Sequence, residues 1–198
     1  MEKAQDNLSR CPWCLGFPEY VQYHDTEWGV PVWDDRIHFE FLILESAQAG
    51  LSWATILKKR EGYRRAFADF DYQVVAEFPE SYVQELLLDP GIIRNTLKIR
   101  AAINNARCFM KVKEEFGSFS NYIWGFVGGK PKQNKLESMK EITATTTESD
   151  LLAKDLKKRG FKFLGSTTVY AHMQATGLVN DHLDSCFRNS EVIALGKC

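Results

Sequence analysis

The segment DDRIHFEFLILESAQAG, residues 34–50, limits the fold more than any other stretch. Asp34 or Asp35 can cap a helix start, and Gly50 can stop it. The interior between them is apolar almost all round. A helix without a polar face must be wrapped by other elements, so the pattern predicts a helix buried in a core. Within it, Glu45 lies amid Phe41, Leu42, Ile43, Leu44, Ala47 and Ala49. Glutamate is seldom buried without a partner. Glu45 is therefore either at an exposed edge of the helix or facing a pocket.

Helical signals dominate the rest. SWATILKKREGYRRAF (52–67) has Ser52 as its N-cap, an apolar stripe and a basic face. Residues 80–117 read as two helices around a tight turn at Asp89, Pro90 and Gly91. SFSNYIWGFV (118–127) is short and aromatic. Residues 128–149 are polar and read as a linker or long loop. ESDLLAKDLKKRGFKF (148–163) is an amphipathic helix ending at Gly160, and 169–187 is a further helix broken near Gly177. Period-2 alternation is scarce and no repeat is visible. The expectation is an all-α chain of roughly six to nine helices, forming one domain or two small lobes.

The formal net charge of −1 excludes a uniformly basic DNA-coating protein but leaves room for a local basic face. No apolar run approaches the ~18 residues of a membrane span. The opening MEKAQDNLSR lacks the apolar core of a secretory signal. Five cysteines spread along the chain do not suit a disulfide framework and point to a reducing cytosol.

RCPWC (10–14) contains Cys11 and Cys14, a pairing typical of half a zinc site or of a redox dithiol. His24 follows, and His182 with Cys186 forms His-x-x-x-Cys, which on a helix puts both side chains on one face. Cys11, His24, His182 and Cys186 would complete a Cys2His2 tetrahedral set tying the two ends of the chain together. Spacing leaves three other readings open: a Cys11–Cys14 dithiol, Cys14 as ligand in place of His24, or unconnected buried side chains.

Five blocks together resemble the DNA-3-methyladenine glycosylase I family: YVQYHDTEWGVP (20–31), QAGLSWATILKKRE (48–61), GIIRNTLKI (91–99), KKRGFKFLG (157–165) and MQATGLVNDH (173–182). The resemblance runs from residue 11 to about 187, with 1–10 as a flexible tail and 188–198 as a C-terminal tail of a single glycosylase unit, 1–198. It implies an all-α helix-hairpin-helix DNA glycosylase fold, with one structural Zn2+ per chain on Cys11, His24, His182 and Cys186. Cys14 matches no ligand position. It also implies a monofunctional, bacterial, cytoplasmic enzyme acting on the nucleoid. That enzyme flips 3-methyladenine out of double-stranded alkylated DNA and hydrolyses its N-glycosidic bond, as a monomer without a lyase step, an organic cofactor or a membrane.

Glu45 matches the family's base-recognising glutamate. Tyr20, Trp28 and Trp53 match pocket-lining positions, Tyr23 matches a tyrosine that hydrogen-bonds the base, and Trp13 is an additional candidate. Leu51, beside the flexible Gly50, is the expected wedge that fills the space left by the flipped base. Gly91 and Ile92 at the hairpin turn, with Arg94 and Lys98, are the expected DNA contacts. There, backbone N–H groups at a helix start would hold a phosphate. Arg100 adds charge near the turn, and Lys58, Lys59, Arg60, Arg64 and Arg65 form a second, auxiliary basic cluster. No Asp lies between Asp89 and Asp150. That is consistent with a branch lacking the catalytic aspartate of other helix-hairpin-helix glycosylases. Ser46 and Ala47 are smaller and less polar than expected. Two other readings are a non-catalytic sensor of alkylated DNA on the same fold and a zinc-stapled redox protein.

Overall fold

The structure is a computed structural model and describes residues 7–196. Residues 1–6 of the expected N-terminal tail, and 197 and 198, lie outside the described residues. The buried helix predicted over 34–50 is present as Asp35–Gln48. It follows α1, Pro18–Thr26, and is therefore α2. The Asp34 carboxylate caps α2 by accepting from the N–H groups of Arg36 and Ile37 at 2.8 and 3.0 Å. Every residue from His38 to Ala47 is buried. Burying each Phe, Leu or Ile of this run stabilises the fold by about 1.5–3 kcal/mol.

Two apolar clusters share α2. Phe39, Leu42 and Ile43 belong to the larger, and Phe41 belongs to the smaller, with Cys11, Tyr23, Trp28 and Cys186. His38 and His172 meet at 3.2 Å between α2 and a later helix. The Val32 carbonyl accepts from both His38 Nε2 and Trp124 Nε1.

The segment 52–67 is not one helix. It splits into α3, Trp53–Leu57, and α4, Arg60–Ala66, with Ser52 capping α3 as expected. Two tertiary contacts fall at the bend. The Lys58 ammonium lies over the Phe17 ring at 4.6 Å, and Lys59 donates to the Pro90 carbonyl at 2.6 Å. After α5, Tyr72–Ala76, come α6, Glu80–Leu86, and the long α7, Thr96–Phe116. The turn between α6 and α7 packs against the backbone of α4. A Cβ added at Gly62 would lie 2.2 Å from the Gly91 carbonyl oxygen. Gly91 keeps a negative φ, so this turn needs glycine for close approach rather than for a left-handed backbone.

Beyond α8, Phe119–Gly125, the polar stretch 128–149 is the long loop of the two alternatives, running as far as the helix that starts at Thr147, and it is packed on the fold rather than linking two lobes. Its residues Lys132–Gln133 form a short parallel pairing with Val179–Asn180, giving two strands, β1 and β2. Leu136 is buried in the smaller cluster. Then follow α9, Thr147–Lys158, capped by Thr146, and α10, Ser166–Ala175. The helix expected over 169–187 ends at Gly177, whose φ of +70° and contact with the Val30–Pro31 backbone admit no side chain. The expected C-terminal tail instead holds α11, Phe187–Leu195. The described residues thus contain eleven α-helical segments rather than six to nine, because several connectors close into one or two helical turns. Among them, no helix is long and apolar enough to cross a membrane.

Candidate functional site

Two carboxylates on α2 are buried, and they differ in company. Glu40 accepts from Arg60 Nε at 2.7 Å and Arg64 Nη2 at 3.1 Å. Glu45 is 4% exposed and its Oε2 has no hydrogen-bond partner. Desolvation pushes its carboxyl up from 4.5 to about 8. A buried carboxylate without a partner, beside one that is paired, is a candidate for a binding site.

Glu45 faces a cavity of about 230 Å³ at the junction of the two apolar clusters. This is below the roughly 300–1,000 Å³ of ordinary small-molecule sites and suits one flat ring system. Trp13, Tyr20, Tyr23, Trp28 and Trp53 supply aromatic walls. Trp53 leads α3 and packs near Tyr23 and Phe41, with ring centroids at 5.5 and 6.3 Å. Its Nε1 is a second buried atom without a partner. The cavity therefore combines an orphaned acceptor, an orphaned donor and several ring faces. Tyr23 keeps its proton, because burial and then the Glu45 charge raise its pKa well above the usual value.

Glu45 and Ala171 also line a neighbouring cavity of about 190 Å³, which runs to Gly50 and Leu51 on one side and to Thr167 and Thr168 on the other. Leu51 is 41% exposed at its rim, and Gly50 turns the chain with φ +79°. Lys98 does not reach outward. Its Nζ donates to the carbonyls of Ala47 and Ala49, each at 2.7 Å, strapping α7 to the end of α2. The N–H groups expected to be free at the turn are also engaged. Gly91 N–H donates to Asp89 Oδ1, Ile92 N–H to Asp89 O, and Ile93 N–H to Tyr63 Oη. Asp89 closes the turn on itself and uses two of those donors, and Tyr63 takes the third. Arg94 is exposed at the turn, while Ile92 is buried beneath it. Much of the expected basic surface is neutralised: Arg60 pairs with Glu27 and Glu40, Arg64 with Glu40, and Arg100 with Glu80.

The two ends of the chain meet behind the aromatic wall. Ligand atoms of Cys11, His24, His182 and Cys186 all lie within 4.8 Å of one another, and all four residues are buried. Cys186 Sγ is 3.5 Å from His24 Nε2 and 3.6 Å from His182 Nδ1, while Cys11 Sγ is 3.8 Å from His182 Nδ1. An ion about 2.3 Å from sulfur and 2.0–2.1 Å from nitrogen gives tetrahedral S···N edges near 3.5 Å, so the donor set fits one. The remaining ring nitrogens have partners. His24 Nδ1 meets Asp25 at 2.7 Å, and His182 Nε2 donates to the Trp28 carbonyl at 3.0 Å. Such partners fix the tautomer of a metal-binding imidazole. His182 and Cys186 do not share a helix face. They flank a turn before α11, and Cys186 is its N-cap residue. Cys14 is outside the group and donates to the Cys11 carbonyl.

A family profile described as methyladenine glycosylase matches residues 13–189. The chain belongs to the methyladenine glycosylase family. It is 48% identical over 179 residues to DNA-3-methyladenine glycosylase 1 of Escherichia coli strain K12, covering 90% of this chain and 96% of that protein. A crystal structure of a 3-methyladenine DNA glycosylase I superposes with a TM-score of 0.88 at 50% identity, covering 90% of this chain and 98% of that one. A variant of such an enzyme, solved in complex with 3-methyladenine, superposes at 0.89 with 39% identity, covering 91% and 97%.

As a member of the methyladenine glycosylase family, the chain gathers Trp13, Tyr20, Tyr23, Trp28, Glu45 and Trp53 at one cavity, and Cys11, His24, His182 and Cys186 at one cluster. Sequence reasoning missed Gln48, Met139, Ile142, Ala171 and Gln174, which also line the cavity. Met139 and Ile142 lie in the stretch taken for a linker or long loop, where only an apolar residue every few positions hinted at burial. Ala171 and Gln174 are one turn apart on α10, a spacing that puts them on one face.

Proposed function

We propose that this chain is a monofunctional DNA glycosylase that excises 3-methyladenine from double-stranded alkylated DNA and leaves an abasic site. The observation that carries the reading is Glu45, a buried carboxylate without a partner on the wall of an aromatic cavity sized for one base. An N3-methylated adenine nucleotide is cationic, whereas adenine is neutral. Burial holds the Glu45 carboxyl up at about 8 in the free protein, but a cation beside it favours the ionised form, and that desolvated pair attracts far more than it could in water. The surrounding rings add cation–π attraction of about 0.5–2 kcal/mol each. Glu45 also accepts from the exocyclic amino group, and Tyr23 donates to the ring.

In the reaction the C1′–N9 bond breaks and its electron pair neutralises the departing base. Water then adds to the oxocarbenium-like sugar and loses a proton. Contacts that tighten as the sugar gains charge lower the barrier, so no lysine nucleophile is needed. Leu51, exposed on the rim of the adjoining cavity, fills the gap in the base stack. The α6–α7 turn serves as the helix-hairpin-helix element through the exposed Arg94, with Gly91 seating the turn on α4 and Ile92 as its buried footing. Cys11, His24, His182 and Cys186 would hold one structural zinc ion, which keeps two thiolates and two imidazoles paired in the core and carries no step of the reaction. The unit acts as a monomer.

Timed release of base from methylated DNA, with the product identified, tests the reading. Binding of lesion DNA without release would instead make the protein a sensor. Trp53→Ala is expected to weaken binding of free 3-methyladenine about tenfold by titration calorimetry; unchanged affinity would remove its stacking role. Because Lys98 is held by two carbonyls, Lys98→Met should leave the salt dependence of duplex binding unchanged. Arg94→Ala should lower the slope of log K against log salt by about 0.9, the value of one phosphate contact. A slope reduced by Lys98→Met would return that lysine to the DNA interface.

A further inference from the structure

The Glu45 charge separates an alkylated purine from a normal one, and its carboxylate can take only one of the two hydrogens of a 6-amino group. Adenine and its 6-oxo counterparts both become cationic when methylated at N3 in DNA. A second polar group on the cavity wall bears on the choice between those two. Gln174 lines the cavity from α10, and its Nε2 donates to Asp181 Oδ2 at 2.8 Å. Asp181 is 1% exposed. It also accepts from the Tyr170 hydroxyl at 2.7 Å and from Asn134 Nδ2 at 2.6 Å.

A carboxylate offers only acceptors. Turning the Gln174 amide over would set its oxygen against Asp181 Oδ2 with no proton between them. The network therefore fixes which end of the amide faces which way. One N–H of the amide is committed to Asp181, which leaves Oε1 as the acceptor available to a ligand. The holding residues come from three places: β2 leads into Asp181, α10 carries Tyr170 and Gln174, and Asn134 follows β1. The β1–β2 pairing brings Asn134 and Asp181 side by side.

We infer that Gln174, oriented by Asp181, is the acceptor that selects a purine with an amino group at C6 over one with a carbonyl there. An amino hydrogen meets Oε1 as a donor. A carbonyl places two acceptors against each other in a desolvated cavity, leaving both without a hydrogen bond. Gln174 is thus a specificity-determining residue and Asp181 a positioning residue. The inference rests on the base-pocket reading above.

The test is calorimetric binding of two free bases, 3-methyladenine and 3-methylhypoxanthine, which differ at C6 and in the proton the 6-oxo base carries on N1, to the full chain. The wild-type protein should favour 3-methyladenine. Gln174→Leu should weaken 3-methyladenine about tenfold and leave 3-methylhypoxanthine within about twofold. Asp181→Asn frees the amide to turn, so it should narrow the ratio partly by strengthening 3-methylhypoxanthine, a gain that mere structural damage would not give. Thermal unfolding establishes that each variant is folded, and Asp181→Asn decides the matter if Gln174→Leu is not. An unchanged ratio in the folded variants overturns the inference alone. Failure of the wild-type protein to bind 3-methyladenine overturns the base-pocket reading and this inference with it.

Discussion

Replacing Glu45 with glutamine is expected to lower 3-methyladenine release about 10²- to 10³-fold and to make the protein more stable at pH 8. The first effect follows from removing the carboxyl that ionises against the cationic base, whose charge favours the anion once it is bound. The second follows from burial. Glu45 titrates near pH 8 in the folded protein, against an ordinary value of 4.5, because desolvation disfavours its anion. The folded chain therefore holds a proton that the unfolded chain gives up between those values. The stability this group provides is complete below about pH 4.5 and is lost as pH rises through 8. Each unit is worth about 1.4 kcal/mol, so ionised Glu45 costs on the order of several kcal/mol at pH 8. For a chain of this length, ~1 kcal/mol moves the melting temperature by about 2–4 °C. Calorimetric scans of both proteins from pH 5 to 8 should show a gap that widens with pH. A constant gap, or excision close to wild type, would detach Glu45 from the role given to it.

Removing the proposed zinc ion is expected to be the most destabilising change. Purified protein should carry about one zinc ion per chain, and chelation should lower the melting temperature by at least ~10 °C. Without the ion, two thiols and two imidazoles are left in a buried cluster with half their bonding lost. The pocket should suffer with it. The Trp28 carbonyl accepts from His182, and the Trp13 ring lies 5.3 Å from His24 and 5.0 Å from Trp28. Cys186→Ser should reproduce the chelation result and Cys14→Ala should not. Elemental analysis decides: clearly less than one zinc per chain ends the claim, and loss of zinc in Cys14→Ala moves the ligand assignment.

The buried helix and the strangeness of Glu45 were legible because both are local. Apolar residues on every side of one helical segment announce burial, and a carboxylate among them announces a question. The Cys/His cluster was half legible. Each pair was visible in the sequence, but only the fold shows that Cys11 and His182 lie 3.8 Å apart. The resemblance supplied that join before the structure did. What failed depends on long-range pairing. Lys98 reads as a surface lysine until α2 ends beside it and offers two carbonyls. The Gly91 turn reads as a row of free donors until the Asp89 side chain takes one and its carbonyl another. Residues 128–149 read as a linker or a long loop, and the choice between them was not legible because a two-residue parallel pairing leaves no periodic trace.

The contact between Gly62 and the Gly91 carbonyl has a metrical consequence. In the proposed complex, the hairpin turn rests on DNA while Leu51 reaches into it from the end of α2. The depth Leu51 attains is the difference between two heights. One of those heights is set by a carbon atom that is not there. A methyl group at position 62 would raise the platform and leave the wedge where it is, shortening its stroke into the duplex. Two glycines far from the chemistry thus act as the gauge of how far a base is pushed.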